Sequence, residues 1–585
     1  MKSRFWIALL LVASIAAFLG LGRGDVVTDN EGQRAAPPAT MLRTGDYIIP
    51  MKSGEPYLVK PPLLYWAVAG VYSVFGVSEF TARTPTAICG VLLIMSVYLF
   101  LRREAGERAA RWGALALLAS PYVFERIRYA ELDIPLTLAT FLSIVCARNA
   151  TISDRRSIAW AWCVAAGLAF GAAVLLKGPV PFLFVWAAAV AVFVVRSTER
   201  DRIVRWGITL GIAAFLLECV LTALAVALPG VRGVLSFPVA LIATVLAWSY
   251  FALRYCKDRA RIGYWIVAVL IGCAMFLPWG IAVLQRMGWE YLSAMLDNQV
   301  VERTHTASEI NGGWPWYFVV GIAGMIAPWS LLIPFQFSKR EWNRHNELYQ
   351  FCLVMAWLSV LVFSLIAGKE YEYILPCLPF LVLAIGYHLA EIDTGMLARW
   401  MDRWVGYWQR IMLALLAIVL PAAAIYCTIE YSAVGFIALI WALAIFGVFS
   451  CALAVRSRTF RTTAVLIATL CSLLVYLNAR GESNQGPRSP RELANTTERY
   501  VKAGYTVETS EVYPAFEFYA DSALPLERSP ERVREKFAGK EPYLYVTREG
   551  RLKAAGIKDF VVFDGPIAFK EMMLIGNQIV PPADY

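Results

Sequence analysis

From its start to about residue 479 the chain is a succession of mostly apolar runs, broken by Arg and Lys clusters or by Gly and Pro. A helix of about 20 such residues spans the roughly 30 Å hydrocarbon core of a bilayer with every backbone N–H and C=O bonded internally. About fifteen runs can be drawn, at 5–22, 80–101, 111–125, 131–147, 157–175, 178–196, 206–228, 235–253, 262–284, 316–335, 350–367, 373–390, 409–428, 434–454 and 461–478. With 59% hydrophobic and only 17% charged residues, the chain is too apolar for an ordinary soluble domain. The expected fold class is an all-α polytopic membrane protein.

Basic residues stay on the cytoplasmic side of a membrane, and here they recur in every second connection. Arg102, Arg103 and Arg108, then Arg155 and Arg156, then Arg196 to Arg205, then Arg254 to Arg261 fall on one side. Lys339, Arg340 and Arg344, then Arg399, Arg403 and Arg410, then Arg456, Arg458 and Arg461 continue the series. This places the amino terminus in the cytoplasm and, with an odd number of spans, the carboxyl terminus outside. The formal charge of +10 is then a product of topology, and no nucleic-acid partner is expected. Residues 1–22 are expected to be an uncleaved first span. Ten of the eleven cysteines lie within apolar runs and Cys256 in a cytoplasmic loop, so no disulfide framework or CxxC metal signature is present.

Two regions leave this rhythm. The outer stretch 23–79 contains Pro61 to Phe75, an apolar segment rich in Tyr and Trp that is too short to cross and suits the interface. Glu31 to Leu42 reads as a second surface helix, which Pro37 and Pro38 would break or restart. The tail 480–585 alternates helix-like pieces (Pro490 to Ala503, Pro530 to Phe537) with β-like ones (Tyr543 to Val546, Phe560 to Phe563), the pattern of a small α/β domain.

Ionisable groups near a bilayer are costly unless solvated, paired or used. Outside the basic loops they collect at the outer ends of spans, among them Asp25, Asp29, Glu31, Arg34, Lys60, Arg83, Glu125, Arg126, Arg128, Glu131, Asp133, Lys177, Glu302, Arg303, His305, Lys369, Glu370, Glu372 and Tyr373. Such a mixture suits a phosphate-linked substrate, because Lys and Arg hold phosphate while carboxylates orient hydroxyls or take a proton. Lys60 before Pro61 and Pro62 is held in non-helical backbone, and Lys177-Gly178-Pro179 and Lys369 with Tyr373 and Pro376 repeat a cation beside a helix break.

The stretches Met41 to Pro50, Lys60 to Trp66, Phe75 to Pro85, Arg128 to Asp133, Leu176 to Pro179, Pro328 to Ser330 and Lys369 to Pro379 run in one order over roughly residues 1–390. In that order they resemble the ArnT-like aminoarabinose transferases and their protein O-mannosyltransferase relatives, of the GT-C class of glycosyltransferases. The resemblance implies a bundle of about 13–15 transmembrane helices over 1–479 and a periplasmic α/β domain over 480–585, in a bacterial inner membrane. It also implies transfer of a sugar, with inversion, from a polyprenyl-phosphate donor to a lipid (lipid A-like) or protein acceptor.

By resemblance and charge together, Lys60, Arg83 and Lys369 are assigned to the donor phosphate, Asp29 or Glu31 with Asp133 to the acceptor, and Arg128, Glu131, Lys177, Arg303 and Tyr373 to the surrounding site. The first outer loop departs from the family pattern: in Thr28-Asp29-Asn30-Glu31-Gly32 the family's aspartate falls on Asn30, which leaves either Asp29 or Glu31 to carry the acidic function. No cofactor is demanded. A divalent metal among Asp29, Glu31 and His305 is compatible with the sequence but not required, and His345 and His388 read as structural. The rival reading is a transporter or flippase of lipid-linked sugar, disfavoured because the charges gather at one face and not at the midplane.

Overall fold

The computed structural model describes residues 4–577 apart from 53, 198, 208, 210–236, 256–258, 297–315, 367, 396–399, 416–417, 419–456, 484–488, 512, 521–523, 558–559 and 568–571. The runs at 206–228 and 434–454, with Glu302, Arg303 and His305, therefore lie wholly or largely outside the described residues.

The first nine helices in chain order are α1 (Phe5–Phe18), α2 (Asp29–Thr44), α3 (Leu63–Phe75), α4 (Glu79–Glu104), α5 (Glu107–Leu118), α6 (Pro121–Arg126), α7 (Asp133–Ile152), α8 (Arg156–Lys177) and α9 (Val180–Val195). They are followed by α10 (Phe237–Tyr255), α11 (Ile262–Leu296), α12 (Tyr317–Met325), a 3₁₀ segment Trp329–Phe337, α13 (Lys339–Arg344) and α14 (Glu347–Ser364). A second 3₁₀ segment, Tyr371–Cys377, leads into α15 (Leu378–Thr394), and α16 spans Arg458–Ser483. Among the described residues six helical stretches are long and apolar enough to cross a membrane, and α1, α3 and α9 are shorter apolar helices.

Helix α7 is buried on nearly all sides, as expected for the centre of a bundle. It packs along α8, which packs in turn along α11, while α5 lies against both α4 and α15. Helix α11 by contrast leaves Ile266, Leu270, Leu277 and Ile281 exposed, and α1 leaves Leu11 and Ile15 exposed. Apolar stripes of this length are stable facing lipid chains, not water.

Three expected runs differ in form. The run 111–125 is two helices, α5 and α6, because Pro121 starts a new helix after Ser120. The run 316–335 is the short α12 followed by a 3₁₀ segment containing Pro334. In the outer stretch Pro37 and Pro38 sit inside α2 without ending it. The prolines remove the donors that would reach the carbonyls of Gln33 and Arg34, and the Arg34 side chain donates to the Gln33 carbonyl instead. Helix α3, at 13 residues, is about 20 Å long and too short to span.

The tail begins, among the described residues, with α17 (Pro490–Lys502), capped by Ser489. It continues through β3 (Val507–Thr509), α18 (Pro514–Tyr519), α19 (Pro530–Ala538), β4 (Leu544–Arg548), α20 (Glu549–Ala555), β5 (Val561–Ile567) and β6 (Met572–Gly576), after the small hairpin β1 (Met51–Lys52) and β2 (Glu55–Pro56) of the outer stretch. Its four-stranded sheet has the order β3-β4-β6-β5, with β3 and β4 parallel and the other pairs antiparallel.

This α/β unit sits on the stretch 23–79. Arg491 pairs with both Asp25 and Glu79, the Tyr519 hydroxyl accepts from Val26 N at 2.7 Å, and Tyr513 donates to the Val27 carbonyl at 3.2 Å. Helices α2 and α18 approach so closely at Gly32 that a Cβ there would lie 2.4 Å from Ala515 N. The basic connections meet at the far end of α4, about 39 Å away. There Arg148 pairs with Glu104 at 3.1 Å and Arg196 with Glu347 at 3.4 Å.

Candidate active site

The charges at the α2 end of the bundle are held in two layers. Nearest α1, Glu31 receives two nitrogens of Arg83, Nε to Oε1 at 2.6 Å and Nη2 to Oε2 at 3.1 Å. The Ala130 amide donates to Glu31 Oε1 at 3.2 Å. The remaining Arg83 nitrogen donates to the carbonyls of Leu21, Arg23 and Gly24. Arg128 similarly closes the end of α1 by donating to the carbonyls of Ala16 and Leu19, the groups a helix C-terminus leaves open. Glu31, Arg83 and Arg128 thus knit α1, α2, α4 and the loop before α7 into one frame.

A second layer lies between α2, α3, α7, α8 and the Tyr371–Cys377 segment. Asp133, in the first turn of α7, accepts from Lys177 Nζ, in the last turn of α8, at 2.6 Å, and both are buried. Lys177 Nζ also lies 5.3 Å from the centre of the Tyr373 ring, within cation–π range. One helix turn after Glu31, Arg34 donates to the Tyr65 hydroxyl at 3.0 Å. Burial disfavours the Arg34 charge, but Tyr65, Tyr57 and Asp133 outweigh it and raise its pKa. Burial likewise pushes the Tyr65 phenol up to about 12, opposed by Arg34.

Glu131 pairs with Arg126. Burial is the main cause that raises its carboxyl to about 7, with Arg126 opposing the shift and Asp133 adding to it. The Tyr122 hydroxyl reaches Glu372 at 3.4 Å. Lys369 is buried two residues before the same 3₁₀ segment and donates to the Ile366 carbonyl at 2.7 Å. Lys60 is half-buried at the entry to α3, and Asp29 is half-buried in the first turn of α2, near Tyr513 of the α/β unit.

The structure therefore brings Asp133, Lys177 and Tyr373 together, sets Glu131 beside them, and gives Glu31, Arg83 and Arg128 to the frame behind. Arg303 lies outside the described residues. Sequence reasoning places Arg34 among the outer-face charges without giving it a role, and it misses Tyr65. The signal for Arg34 was its i, i+3 spacing from Glu31 on one helix face, and that for Tyr65 its place in the first turn after Pro61 and Pro62. A mainly apolar cavity of about 650 Å³ lies elsewhere, lined by Trp248, Phe337, Trp342 and Trp357 and bordered by Asp201, Arg205 and Lys339.

The fold that carries these side chains occurs in known proteins. Over its whole length the chain superposes on the crystal structure of ArnT from Cupriavidus metallidurans bound to undecaprenyl phosphate, with a TM-score of 0.69, 19% identity and 100% of each chain covered. The chain has the fold of ArnT. Residues 59–225 match the family model described as dolichyl-phosphate-mannose-protein mannosyltransferase, a stretch that holds Lys60, Arg83, Asp133 and Lys177 of this ArnT-like chain. It is 25% identical over 393 residues to the undecaprenyl phosphate-α-4-amino-4-deoxy-L-arabinose arabinosyl transferase of Pseudomonas paraeruginosa, covering 67% of this chain and 60% of that one. To the protein of the same description from Pseudomonas savastanoi it is 28% identical over 388 residues, covering 66% and 61%. The ArnT-like chain thus spans about 60% of the length of these curated relatives.

Proposed function

We propose that the chain is a membrane glycosyltransferase, moving a sugar from a polyprenyl-phosphate donor to a lipid or protein acceptor at the outer face. The observation that carries this reading is the convergence of buried Asp133, Lys177, Arg34 and Tyr65 with half-buried Tyr373 at one end of a GT-C bundle. In such a transfer an acceptor oxygen attacks the anomeric carbon, the bond from that carbon to the phosphate oxygen breaks, and the leaving polyprenyl phosphate gains negative charge. Cations placed where that charge develops lower the barrier.

Lys60, Lys369 and Lys177 are the amines assigned to this task, with Arg34, which feels the Asp133 charge, as a further cation. Arg83, engaged by Glu31 and three carbonyls, is assigned to holding the outer loop in place, and Glu31 with it. Asp133 is the carboxylate best placed to orient or deprotonate a hydroxyl acceptor. Asp29, near the α/β unit, is the second. An acceptor that is itself a phosphate needs no base. In this reading residues 1–479 form the membrane domain, with its amino terminus cytoplasmic. The unit 480–585 is an external domain on the same side as 23–79, as its contacts with Asp25, Glu79 and Gly32 support.

The test is reconstitution of the purified protein with a radiolabelled polyprenyl-phosphate sugar and outer-membrane lipids or secreted proteins, with no membrane gradient. Release of polyprenyl phosphate together with label in an acceptor is expected. Movement of the intact donor between leaflets without cleavage would support the flippase reading instead.

A further inference from the structure

At the other end of the bundle, beside the basic connections, four side chains aim ligand-type atoms into one volume. Glu341 on α13, His345 just beyond it, and His388 and Glu391 on α15 each offer one nitrogen or oxygen, all within 4.8 Å of one another. The spacings i, i+4 and i, i+3 put each pair on one face of its turn. Two of the chain's three histidines are in this cluster.

Its dimensions approach those of a ligand set. Donors bound at about 2.0–2.1 Å in a tetrahedron around zinc lie about 3.3 Å apart. His345 Nε2 is 3.2 Å from Glu341 Oε2 and 3.6 Å from Glu391 Oε1. Contraction of the remaining edges from at most 4.8 Å closes the set.

The hydrogen bonding is incomplete where it is most costly. Glu341 and His388 are fully buried, yet among the described residues Glu341 Oε1, Glu391 Oε2 and His388 Nδ1 have no hydrogen-bond partner. The Tyr349 hydroxyl, 3.1 Å from His388 Nε2, holds that ring in place, in the manner of groups that orient metal-binding imidazoles.

Charge points the same way. Among the described residues Arg344 is the cation at the cluster: it pairs with Glu391, and its second amino group lies 3.8 Å from Glu341 Oε1. One guanidinium against two carboxylates leaves the cluster net negative when both imidazoles are neutral. At 30% side-chain exposure, Arg344 can turn outward when a stronger cation enters.

We infer that Glu341, His345, His388 and Glu391 form a binding site for a divalent transition-metal ion of the zinc class. Paired imidazole and carboxylate donors favour zinc, manganese or iron over magnesium and calcium, which take all-oxygen sets. The bound ion ties the connection before α14 to the end of α15. The site is separate from the Asp133–Lys177 layer, and its test does not involve sugar transfer.

The experiment uses the full chain purified in detergent through a tag without histidine, stripped with a chelator and reloaded with Zn²⁺ or Co²⁺. Wild type is expected to retain one ion per chain, to show the visible absorption of tetrahedral Co²⁺, and to melt at a higher temperature with zinc. His345→Ala and Glu391→Gln should each weaken retention roughly 10- to 100-fold or more. Arg344→Ala, which removes the competing cation, should bind zinc more tightly and be stabilised by it. An unretentive wild type, or ion retention unchanged in both His345→Ala and Glu391→Gln, would overturn the site and leave an ion-pair network closed by Arg344. Should His345→Ala not fold, Glu391→Gln and Arg344→Ala decide between the two outcomes.

Discussion

Glu31 and Arg83, 52 residues apart in sequence, are joined by a two-pronged ion pair with both side chains buried. Two parallel N–H to O bonds between planar groups fix orientation as well as distance, so this pair sets where α2 lies against α4. Glu31→Gln is therefore expected to act on stability. Leaving a buried guanidinium without its counter-charge costs about 3–5 kcal/mol when nothing replaces it, and an amide, which keeps one acceptor, should sit at or below the low end. Thermal unfolding in detergent checks this. A Glu31→Gln protein as stable as wild type but inactive would return the acidic role to Glu31.

The pair formed by Asp133 and Lys177 gives a different pattern. Asp133→Asn strands a buried ammonium, and Lys177→Gln strands a buried carboxylate. Each single change should lower both stability and transfer. The double variant removes both charges and should regain much of the stability while staying inactive, measured as melting temperature beside transfer rate. Recovery of transfer in the double variant would show that the pair is only structural.

Lys60 precedes two prolines and is half-buried at the entry to α3. Lys60→Ala should abolish transfer, by roughly a hundredfold or more if one placed cation is worth what an oxyanion-hole donor is worth. Membrane insertion should stay near wild type. Lys60→Arg should rescue in part, since a planar fork does not reproduce a point charge. Wild-type turnover in Lys60→Ala would remove this lysine from the donor phosphate.

Gly32→Ala tests the seat of the α/β unit. The added methyl would meet Ala515 N at 2.4 Å and the Pro514 carbonyl carbon at 2.5 Å, both backbone atoms that cannot turn aside. The expected result is a loosened tail, seen as faster release of a C-terminal fragment by limited proteolysis, with the membrane part intact. Unchanged cleavage would mean that α2 and α18 can separate without loss of docking.

The raised Glu131 carboxyl gives a pH dependence of definite sign. Between about pH 4.5 and 7 the unfolded chain has lost this proton while the folded one keeps it, so the group's contribution to stability falls as pH rises through that window. Glu131→Gln cannot titrate. Melting curves of wild type and Glu131→Gln, taken from pH 5 to 8, should diverge across the window and run parallel above it. Parallel curves throughout would place the Glu131 carboxyl in the ordinary range.

Hydropathy is additive along the chain, so the long apolar helices from α4 to α15, and the short interfacial length of α3, could be read from composition within each run. The same holds for the tail, whose helices start at Ser489-Pro490 and Ser529-Pro530 and whose β4 follows from Leu544 to Val546. Local rules also failed locally: Pro37 and Pro38 predicted a break in α2, which tertiary contact overrides by packing both prolines inside the fold. Which charge meets which could not be read at all. Glu31 finds Arg83 across 52 residues, Lys177 finds Asp133 across 44, and Asp25 finds Arg491 across 466. A carboxylate aimed at a substrate and one neutralised by a guanidinium look alike in one dimension. Only the packing of α2, α4, α7 and α8, which fixes distance and excludes water, decides which of these charges pair.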